Sequence, residues 1–324
     1  MKAAIVNAFE QSPHYEDFPE PTPKNGEVCV LVTAVGLHPI VKAIASGSHY
    51  NADDVLPFIP GIDGVGRLED GTRVYFGAAR SPYGTMAEKT VAFEHMCMPL
   101  PDSLDDVTAA AIFNPGLSSW LALSWRAQLQ AGETVLINGA TGVAGRLAIQ
   151  IAKHLGAGKI IAMGRNNQAL KGLDTLGADS LIELDQSGEK VIEAIAHAAG
   201  DKGIQVIIDY LWGNPAETII AAITQEKMLE ASTRIRFIQV GDSAGESIKL
   251  PASALRSSSL EIYGSGIGSV PIEQIIAAVP SFTEFAASGN LKVTTEQIPL
   301  RNIQEAWQRT PPNGCRFVII PFIS

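Results

Sequence analysis

The feature that most restricts the fold of this chain is a short apolar run followed at once by a glycine-rich turn and an amphipathic helical pattern. The run is Thr134–Asn138 and the turn is Gly139–Gly145. Apolar residues then recur at helical spacing as far as Leu155, while polar residues such as Arg146 share the opposite face. This order predicts a buried strand, a tight turn and a helix.

The same arrangement is typical of a site that holds the pyrophosphate of a dinucleotide. Small residues in the turn let the backbone approach the phosphates, and Gly145 lets the helix pack closely on the strand. The helix N-terminus adds unpaired N–H groups and a partial positive charge. The competing interpretation is a glycine-rich turn that binds nothing. The predicted cofactor-binding residues of the turn are Gly139, Ala140, Thr141, Gly142, Val143, Ala144 and Gly145.

Apolar runs of strand length alternate with helix-length segments from about Leu117 onward. Strands that are buried on both faces read as continuous apolar runs, so the pattern predicts a parallel α/β sheet of the Rossmann type. A complete dinucleotide fold has six strands. The predicted strands are Thr134–Asn138, Lys159–Met163, Ser180–Glu183, Gln205–Asp209, Arg236–Val240 and Leu260–Tyr263.

The residues after the second of these strands distinguish between the two nicotinamide cofactors. A free ribose 2′-hydroxyl is usually bound by Asp or Glu at this place, whereas a 2′-phosphate requires a cation. Gly164, Arg165 and Asn166 follow the strand, with no carboxylate nearby. We therefore expect NADPH. The alternative is that Arg165 is an ordinary surface arginine and that the site ignores the phosphate.

Both ends of the chain have a different character from its middle. Short β-prone runs separated by Pro and Gly predict a sandwich-like or barrel-like fold near the N-terminus. These runs are Ala3–Ala8, Glu27–Val35, Val65–Leu68, Arg73–Phe76 and Met86–Val91. After Gly266 the pattern predicts a helix around Pro271–Gly289, a strand at Val293, a helix at Arg301–Gln308 and a closing strand Phe317–Ile320. The expected division is 1–117, 118–264 and 265–324.

Composition excludes several other classes of protein. The 324 residues carry a formal net charge of −10 and no basic run, which argues against nucleic-acid binding. Apolar runs fall short of the ~20 residues of a membrane helix, and the first residues lack the apolar core of a secretory signal. Cys29, Cys97 and Cys315 are too scattered for a disulfide framework or a Cys-rich zinc site. We expect a cytoplasmic protein.

The chain resembles the zinc-free quinone oxidoreductase branch of the medium-chain dehydrogenase/reductase superfamily. Besides the glycine-rich motif, the resemblance rests on Ala34–Pro39 with Ser46-Gly47, on Leu56–Gly66 and on Gly177–Asp179. It implies a GroES-like, β-rich catalytic domain built from both chain ends, a Rossmann domain between them, and an active site in the cleft between the two domains.

The resemblance also bears on whether the protein binds a metal. In zinc-dependent members of the superfamily, the catalytic zinc environment lies at positions that correspond here to His38, Gly61-Ile62-Asp63 and Asn114. Ile62 has no atom that could bind zinc, and the four cysteines of the structural zinc lobe are missing. We interpret His38 as a hydrogen-bonding pocket residue and Asp63 as a turn cap, and we expect no metal.

Without a metal, reduction of an electrophilic acceptor is the expected chemistry. NADPH would deliver hydride to a quinone or to the β-carbon of an enone, and hydrogen-bond donors would stabilise the oxyanion. The candidate catalytic residues are Tyr50, Tyr83 and His38. Each tyrosine is equally well read as a structural aromatic. In this branch Asn commonly stands at the position of His38 and Asp at that of Val41, which leaves the substrate preference open.

Further cofactor contacts are implied by the resemblance and by the ends of the predicted strands. Ligands of an open α/β sheet bind at the carboxyl ends of its strands. Arg316 could equally be an exposed charge on a strand. These further candidates are Ser118, Val240, Gly241, Gly264, Ser265, Gly266 and Arg316.

Two alternative functions and two expected partners remain. An enoyl or acyl-thioester reductase would use the same hydride geometry but would need a basic rim for its carrier, and no such cluster is evident. A catalytically idle NADPH-binding protein is possible because a fold does not determine function. The expected partners are a small electrophilic substrate and a second copy of the chain. The resemblance implies that this copy would pair along the edge strand Leu260–Tyr263, which would also protect that edge.

Overall fold

The structure is a computed structural model that describes residues 1–50, 52, 55–224 and 234–322. The chain divides into two compact units. The β-rich unit comprises Met1–Asn114 and Phe285–Ser324, and the α/β unit comprises Pro115–Glu284. The predicted domain limits of 1–117, 118–264 and 265–324 remain a prediction.

Strands dominate both ends of the chain, and strands and helices alternate in its middle. The strands are β1 (Lys2–Ile5), β2 (His14–Asp17), β3 (Glu27–Gly36), β4 (Asp63–Arg67), β5 (Arg73–Gly77), β6 (Lys89–Phe93), β7 (Cys97–Pro99), β8 (Thr134–Asn138), β9 (Lys159–Gly164), β10 (Ser180–Glu183), β11 (Val206–Asp209), β12 (Ile235–Gln239), β13 (Leu260–Gly264), β14 (Thr294–Pro299) and β15 (Cys315–Ile320). The α-helices are α1 (Pro39–Ala45), α2 (Asp106–Leu121), α3 (Val143–His154), α4 (Asn167–Leu170), α5 (Gly188–Ala199), α6 (Gly213–Ile223), α7 (Ala252–Arg256), α8 (Ile272–Ala287) and α9 (Ile303–Gln308). Across the described ranges, no helix has both the length and the apolar character needed to cross a membrane.

The α/β unit is built on a six-stranded parallel sheet. Its strand order is β10-β9-β8-β11-β12-β13, and every pairing is parallel. This confirms the predicted Rossmann sheet. The limits of β8 and β10 are as predicted, and those of the other four strands differ by a single residue at one or both ends.

The strand order determines where this sheet can bind a ligand. β8 pairs with β9 on one side and with β11 on the other, and the chain continues in opposite directions across the sheet from this point. An open parallel sheet binds its ligand in the crevice at such a switch point, outside the carboxyl ends of the strands. β8 itself is buried throughout its length, because helices cover both faces of the sheet.

The β-rich unit is formed by both ends of the chain, as predicted. Its larger sheet has the order β14-β15-β3-β4-β5-β7, with β6 paired to β3, while β1 and β2 form a separate antiparallel pair. β15 pairs antiparallel with β3, with Val318 opposite Gly36. The C-terminal strand therefore lies beside the segment that leads into α1, and this pairing assembles a buried polar cluster.

Several elements differ from the sequence prediction. α2 begins at Asp106, although the helical pattern was expected only from about Leu117, and Pro115 lies inside it. Proline removes one helical hydrogen bond, but the preceding turn, from Ala109 to Phe113, is completely buried and its packing maintains the helix. β2 escaped prediction because its sequence is polar and largely exposed, and so has no apolar alternation.

Candidate functional site

The glycine-rich turn lies at the carboxyl end of β8 and leads directly into α3. Gly139 adopts a left-handed φ of 86°, which favours glycine. Gly142 occupies the N-cap position without a side-chain cap. A Cβ added to Gly145 would collide with the Gly139 carbonyl oxygen and lie 2.6 Å from Ala140 Cα. The helix thus begins in direct contact with the turn, as the predicted role of Gly145 requires.

The N-terminus of α3 is electrostatically suited to a phosphate. Its first turn contains no acidic residue, and the basic residues Lys153 and His154 lie in its last turn. The helix dipole places a partial positive charge at the N-terminus. No N-cap side chain accepts a hydrogen bond from the first N–H groups there. Thr141 and Gly142 are accessible to solvent. An anion could therefore bind here.

Gly164, Arg165 and Asn166 lie at the carboxyl end of β9, beside the turn. A Cβ on Gly164 would lie 2.7 Å from Thr141 Cγ2, so the end of β9 and the glycine-rich turn approach each other closely here. Arg165 is exposed, and among the described residues its guanidinium forms no ion pair. Asn166 caps α4 by accepting a hydrogen bond from Ala169 N at 3.1 Å. Arg165 is thus the cation available at this end of the strand.

Arg146 is a second cation at the turn that the sequence analysis did not single out. Its Nε donates to the Thr141 carbonyl oxygen at 3.3 Å, and its Nη2 donates to the Ala169 carbonyl oxygen at 3.2 Å. It therefore joins the glycine-rich turn to α4. Partial burial lowers the pKa of Arg146. The sequence did place Arg146 in the first turn of the predicted helix, next to the glycine-rich turn, and this position indicates a cation at the site.

The other predicted cofactor residues in the α/β unit lie at the same edge of the sheet. The parallel register aligns Asn138 with Asp209, Asp209 with Gln239, and Gln239 with Gly264. The carboxyl ends of these strands therefore meet at one edge. The segments gathered there are Gly139–Gly145, Gly164–Asn166, Val240-Gly241 and Gly264–Gly266.

Ser118 lies half-buried on α2, but its neighbour Ser119 forms the notable contact. Ser119 Oγ lies 2.6 Å from the hydroxyl oxygen of Tyr210, which follows β11. This contact was not predictable from the sequence, because the two residues are 91 positions apart. Nearby, Asp209 accepts hydrogen bonds from the Asn138 amide and from the N–H groups of Leu211 and Trp212. Burial raises the pKa of Asp209 despite these donors.

A buried polar cluster lies in the β-rich unit. His38 is only 1% exposed, and its Nε2 lies 3.5 Å from Asp63 Oδ1. Asp63 Oδ2 accepts a hydrogen bond from the Tyr75 hydroxyl at 3.0 Å. Arg316 is 6% exposed and donates from Nη1 to the Leu37 carbonyl oxygen at 2.9 Å. Burial excludes the alternative in which Arg316 is an exposed strand charge.

The environment of this cluster favours an uncharged His38. Burial, the largest effect, lowers the pKa of His38, while Asp63 counteracts this shift and Arg316 adds to it. Burial also lowers the pKa of Arg316, to about 10. At neutral pH, Arg316 is therefore the cation of the cluster, and His38 is a neutral imidazole able to donate one hydrogen bond.

Replacing His38 with Asn should reduce the loss of stability that occurs in acid. Because the pKa of folded His38 is lowered, the unfolded chain binds the proton more readily below about pH 6.5, and wild-type stability falls there. The H38N variant should lose less stability, by up to about 1.4 kcal/mol per pH unit. Urea unfolding near neutrality and near pH 5.5 would measure the difference. His197→Asn, at an exposed site on α5, is the control, and equal acid sensitivity of H38N and wild type would contradict the prediction.

Tyr83 lines a small pocket in the β-rich unit. The pocket has a volume of about 130 Å³, and its walls include Val41, Ile44, Phe58 and Ile62. The Tyr83 ring meets Phe18 edge-on, with centroids 5.8 Å apart. The surroundings are largely apolar, and the polar side chains of the lining are those of Ser81 and Tyr83. Tyr83 thus combines a packing role with access to a pocket.

Tyr50 and His38 are placed differently from Tyr83. Tyr50 is 73% exposed, and its ring stacks on His49 with centroids 4.2 Å apart. His38 is enclosed with Asp63. The structure therefore puts the three candidate catalytic residues in three different environments: a pocket wall, an exposed loop and a buried cluster.

The comparisons with known proteins agree with these features. Residues 144–284 match the family described as zinc-binding dehydrogenase. A probable NADPH-dependent quinone reductase from Emericella nidulans is 27% identical over 99% of this chain and 100% of its own. The human quinone oxidoreductase is 33% identical, in an alignment that spans 60% of each chain.

The chain is similar to members of the medium-chain dehydrogenase/reductase superfamily. This confirms the resemblance drawn from the sequence motifs, and within the superfamily the chain is similar to the quinone oxidoreductases. The quinone oxidoreductase of Pseudomonas syringae pv. Tomato DC3000 aligns with a TM-score of 0.84 and 25% identity over 99% of both chains. The Escherichia coli quinone oxidoreductase, complexed with NADPH, aligns with a TM-score of 0.84 over 99% of this chain and 100% of its own. At 21% identity, this second match shows the shared fold.

The zinc implied by the family description does not fit the residues of this chain. Ile62 is an apolar side chain that packs against the core of the β-rich unit, and His38 Nε2 faces Asp63 Oδ1. Zinc requires several N, S or O ligands that converge on one point. Within the part of the chain that the structure describes, no group of three or more His, Cys, Asp or Glu side chains converges in this way.

Proposed function

We propose that the chain is an NADPH-dependent oxidoreductase that transfers hydride, without zinc, to a quinone or an α,β-unsaturated carbonyl compound. One observation carries the proposal: the uncapped glycine-rich turn lies at the switch point of the sheet, with Arg165 exposed at the end of the neighbouring strand β9. The quinone reductase names of its relatives support the same acceptor class.

The α/β unit would bind and orient the cofactor. NADPH, when bound, supplies the hydride. The turn Gly139–Gly145 and the N-terminus of α3 would hold the pyrophosphate, and Arg165 would bind the 2′-phosphate. The further proposed contacts in this unit are Gly164, Asn166, Ser118, Val240, Gly241, Gly264, Ser265 and Gly266. Arg316, which belongs to the β-rich unit, is also a proposed contact.

The β-rich unit would stabilise the reduced acceptor. Hydride addition to a quinone leaves an oxyanion, which a hydrogen-bond donor stabilises and a proton then neutralises. The proposed donors are Tyr50, Tyr83 and neutral His38. Of these, Tyr83 lines a pocket, and its phenol can donate a hydrogen bond.

Turnover by the purified protein tests the function. NADPH oxidation should occur with a benzoquinone or a simple enone, should persist after treatment with a chelator, and should be slower with NADH. An acyl-thioester that outperforms every quinone and enone would favour the thioester reductase instead. Tight NADPH binding without turnover of any acceptor would favour the idle protein.

Replacing Tyr83 with Phe should lower kcat about 100-fold, since this is the typical effect of removing one oxyanion donor. The ring stays in place, so NADPH affinity should not change. Steady-state kinetics with a benzoquinone and a direct NADPH titration would separate the two effects. Tyr50→Phe tests the exposed candidate, and Tyr15→Phe, at an exposed position on β2, is the control. A normal kcat for Tyr83→Phe would show that this phenol is structural.

We propose in addition that the protein is a cytoplasmic homodimer. β13 is an edge strand of the six-stranded sheet, and the exposed Ile272 and Ile276 follow it in the chain. Pairing with a second copy would cover this edge and these side chains. Cys29, Cys97 and Cys315 are free thiols, which suits a reducing compartment.

A further inference from the structure

Tyr210 lies at the switch point of the six-stranded sheet, directly after β11. Its N–H donates to the Asn138 carbonyl oxygen at 3.1 Å, so it is joined to the end of β8. A Cβ on Gly139 would lie 3.3 Å from Tyr210 Cβ, and one on Gly241 would lie 2.8 Å from the Tyr210 carbonyl oxygen. One residue therefore contacts the glycine-rich turn and the segment that follows β12.

The hydroxyl of Tyr210 extends these connections to α2 and α3. It lies 2.6 Å from Ser119 Oγ, which in turn lies 2.8 Å from the Pro115 carbonyl oxygen and 3.4 Å from that of Ala144. A serine hydroxyl has one proton. Since Ser119 donates it to Pro115, Tyr210 is the donor in the shorter bond. Burial raises the pKa of Tyr210, which keeps the phenol protonated.

The turn that carries Tyr210 is held in a single conformation. The Asp209 carboxylate accepts from the N–H groups of Leu211 and Trp212. Trp212 adopts φ 55° and ψ −156°, a region that non-glycine residues rarely occupy and that costs about 1–3 kcal/mol. Such strain persists only where surrounding contacts determine the backbone. The position of the Tyr210 ring is therefore well defined.

The sheet order indicates which half of a dinucleotide would meet Tyr210. The adenosine half binds at the end of the strand after the glycine-rich turn, which is β9 with Arg165. β9 and β11 lie on opposite sides of β8. A dinucleotide that crosses the crevice at β8 must therefore place its nicotinamide half on the β11 side, where Tyr210 lies.

We propose that Tyr210, held by its hydrogen bond to Ser119, is a positioning residue for the nicotinamide half of NADPH. The inference rests on the proposed function, because it requires NADPH as the ligand. Its ring forms a wall of the crevice, and the bond to Ser119 prevents the ring from rotating into the space of the nicotinamide ribose. The adenosine half does not depend on it.

Comparing the affinity for the whole cofactor with the affinity for its adenosine fragment tests this role. Tyr210→Phe should raise the Kd of NADPH about 5- to 10-fold, the worth of one hydrogen bond. The Kd of 2′-phosphoadenosine 5′-diphosphate, which contains only the adenosine half, should stay unchanged. Ser119→Ala should reproduce both results, and the double variant should be no weaker than either single one, because both changes break the same bond. Ser124→Ala removes a similar hydroxyl, bonded at 2.7 Å to the Trp120 carbonyl oxygen, and should have no effect.

The possible outcomes distinguish the inference from the function on which it rests. If wild type binds NADPH and Tyr210→Phe binds it equally well, the inference is wrong while the function stands. Equal weakening of NADPH and the fragment, with a lowered unfolding temperature, would show a structural role and also overturn the inference. If wild-type protein binds neither ligand, the proposed function fails and the inference fails with it.

Discussion

Replacing Arg165 with Ala should raise the Kd of NADPH about 10- to 100-fold and leave that of NADH within about twofold. A charge-assisted contact with phosphate contributes about 1.5–3 kcal/mol, and each 1.4 kcal/mol corresponds to a factor of ten. Arg165 is exposed at the end of β9 without an intramolecular ion pair among the described residues. Its removal therefore breaks no internal ion pair among the described residues. The lost binding free energy should come from the contact with the 2′-phosphate.

Fluorescence titration with both cofactors measures this selectivity. Arg256→Ala removes another exposed arginine of the α/β unit, at the last residue of α7, and controls for a general change in surface charge. A rise in salt concentration should weaken NADPH binding to wild type more than to Arg165→Ala, since salt screens a charge contact that only wild type still forms. Equal weakening of NADPH and NADH by Arg165→Ala would contradict the assignment of the 2′-phosphate to this residue.

Replacing Gly145 with Ala should abolish tight NADPH binding and destabilise the α/β unit by about 1–3 kcal/mol, the usual cost of overpacking. The added Cβ would lie 2.6 Å from Ala140 Cα and would also collide with the Gly139 carbonyl oxygen. These are backbone atoms, so a side-chain rotation cannot relieve the clash. Alanine has a higher helix propensity by about 1 kcal/mol, which does not offset the overlap. The start of α3 must move away from the turn that would hold the pyrophosphate.

Thermal unfolding and NADPH titration would report the two effects of Gly145→Ala. Gly188→Ala is a matched control, because Gly188 is the first residue of α5 and a Cβ there meets nothing within 4 Å. That control should bind NADPH normally and be as stable as wild type or slightly more so. Normal NADPH binding by Gly145→Ala would show that close packing of helix and turn is unnecessary for the cofactor.

The elements that sequence could predict are those whose signal is local. β8 and β10 have the predicted limits, because buried parallel strands are continuous apolar runs between polar segments. The start of α3 was predictable from the glycine spacing. Pro115 obscured the start of α2, because a proline ordinarily marks the boundary of a helix rather than its middle. The polar strand β2 lacked the apolar alternation on which a strand prediction depends.

The residues of the candidate site also differ in whether a local sequence signal predicts them. Gly139, Gly145 and Arg165 could be singled out from the sequence because a dinucleotide site uses residues close together in the chain. The contact between Ser119 and Tyr210 could not be predicted, since 91 positions separate the two residues. Arg316 was also singled out, but its location in the fold was not predicted. Its side chain donates a hydrogen bond to the Leu37 carbonyl oxygen, 279 positions away, in the buried cluster with His38 and Asp63.

Sequence alone determined the class of fold and the position of the glycine-rich turn, because periodicity and spacing along the chain encode them. It also predicted Arg165 as the cation for a 2′-phosphate. The tertiary structure alone decided the order β10-β9-β8-β11-β12-β13 and the pairing of β15 with β3. Strand order depends on how distant segments pack together, which a local pattern does not encode. For that reason the contact between Tyr210 and Ser119, and the burial of His38 beside Asp63, became visible only in the folded chain.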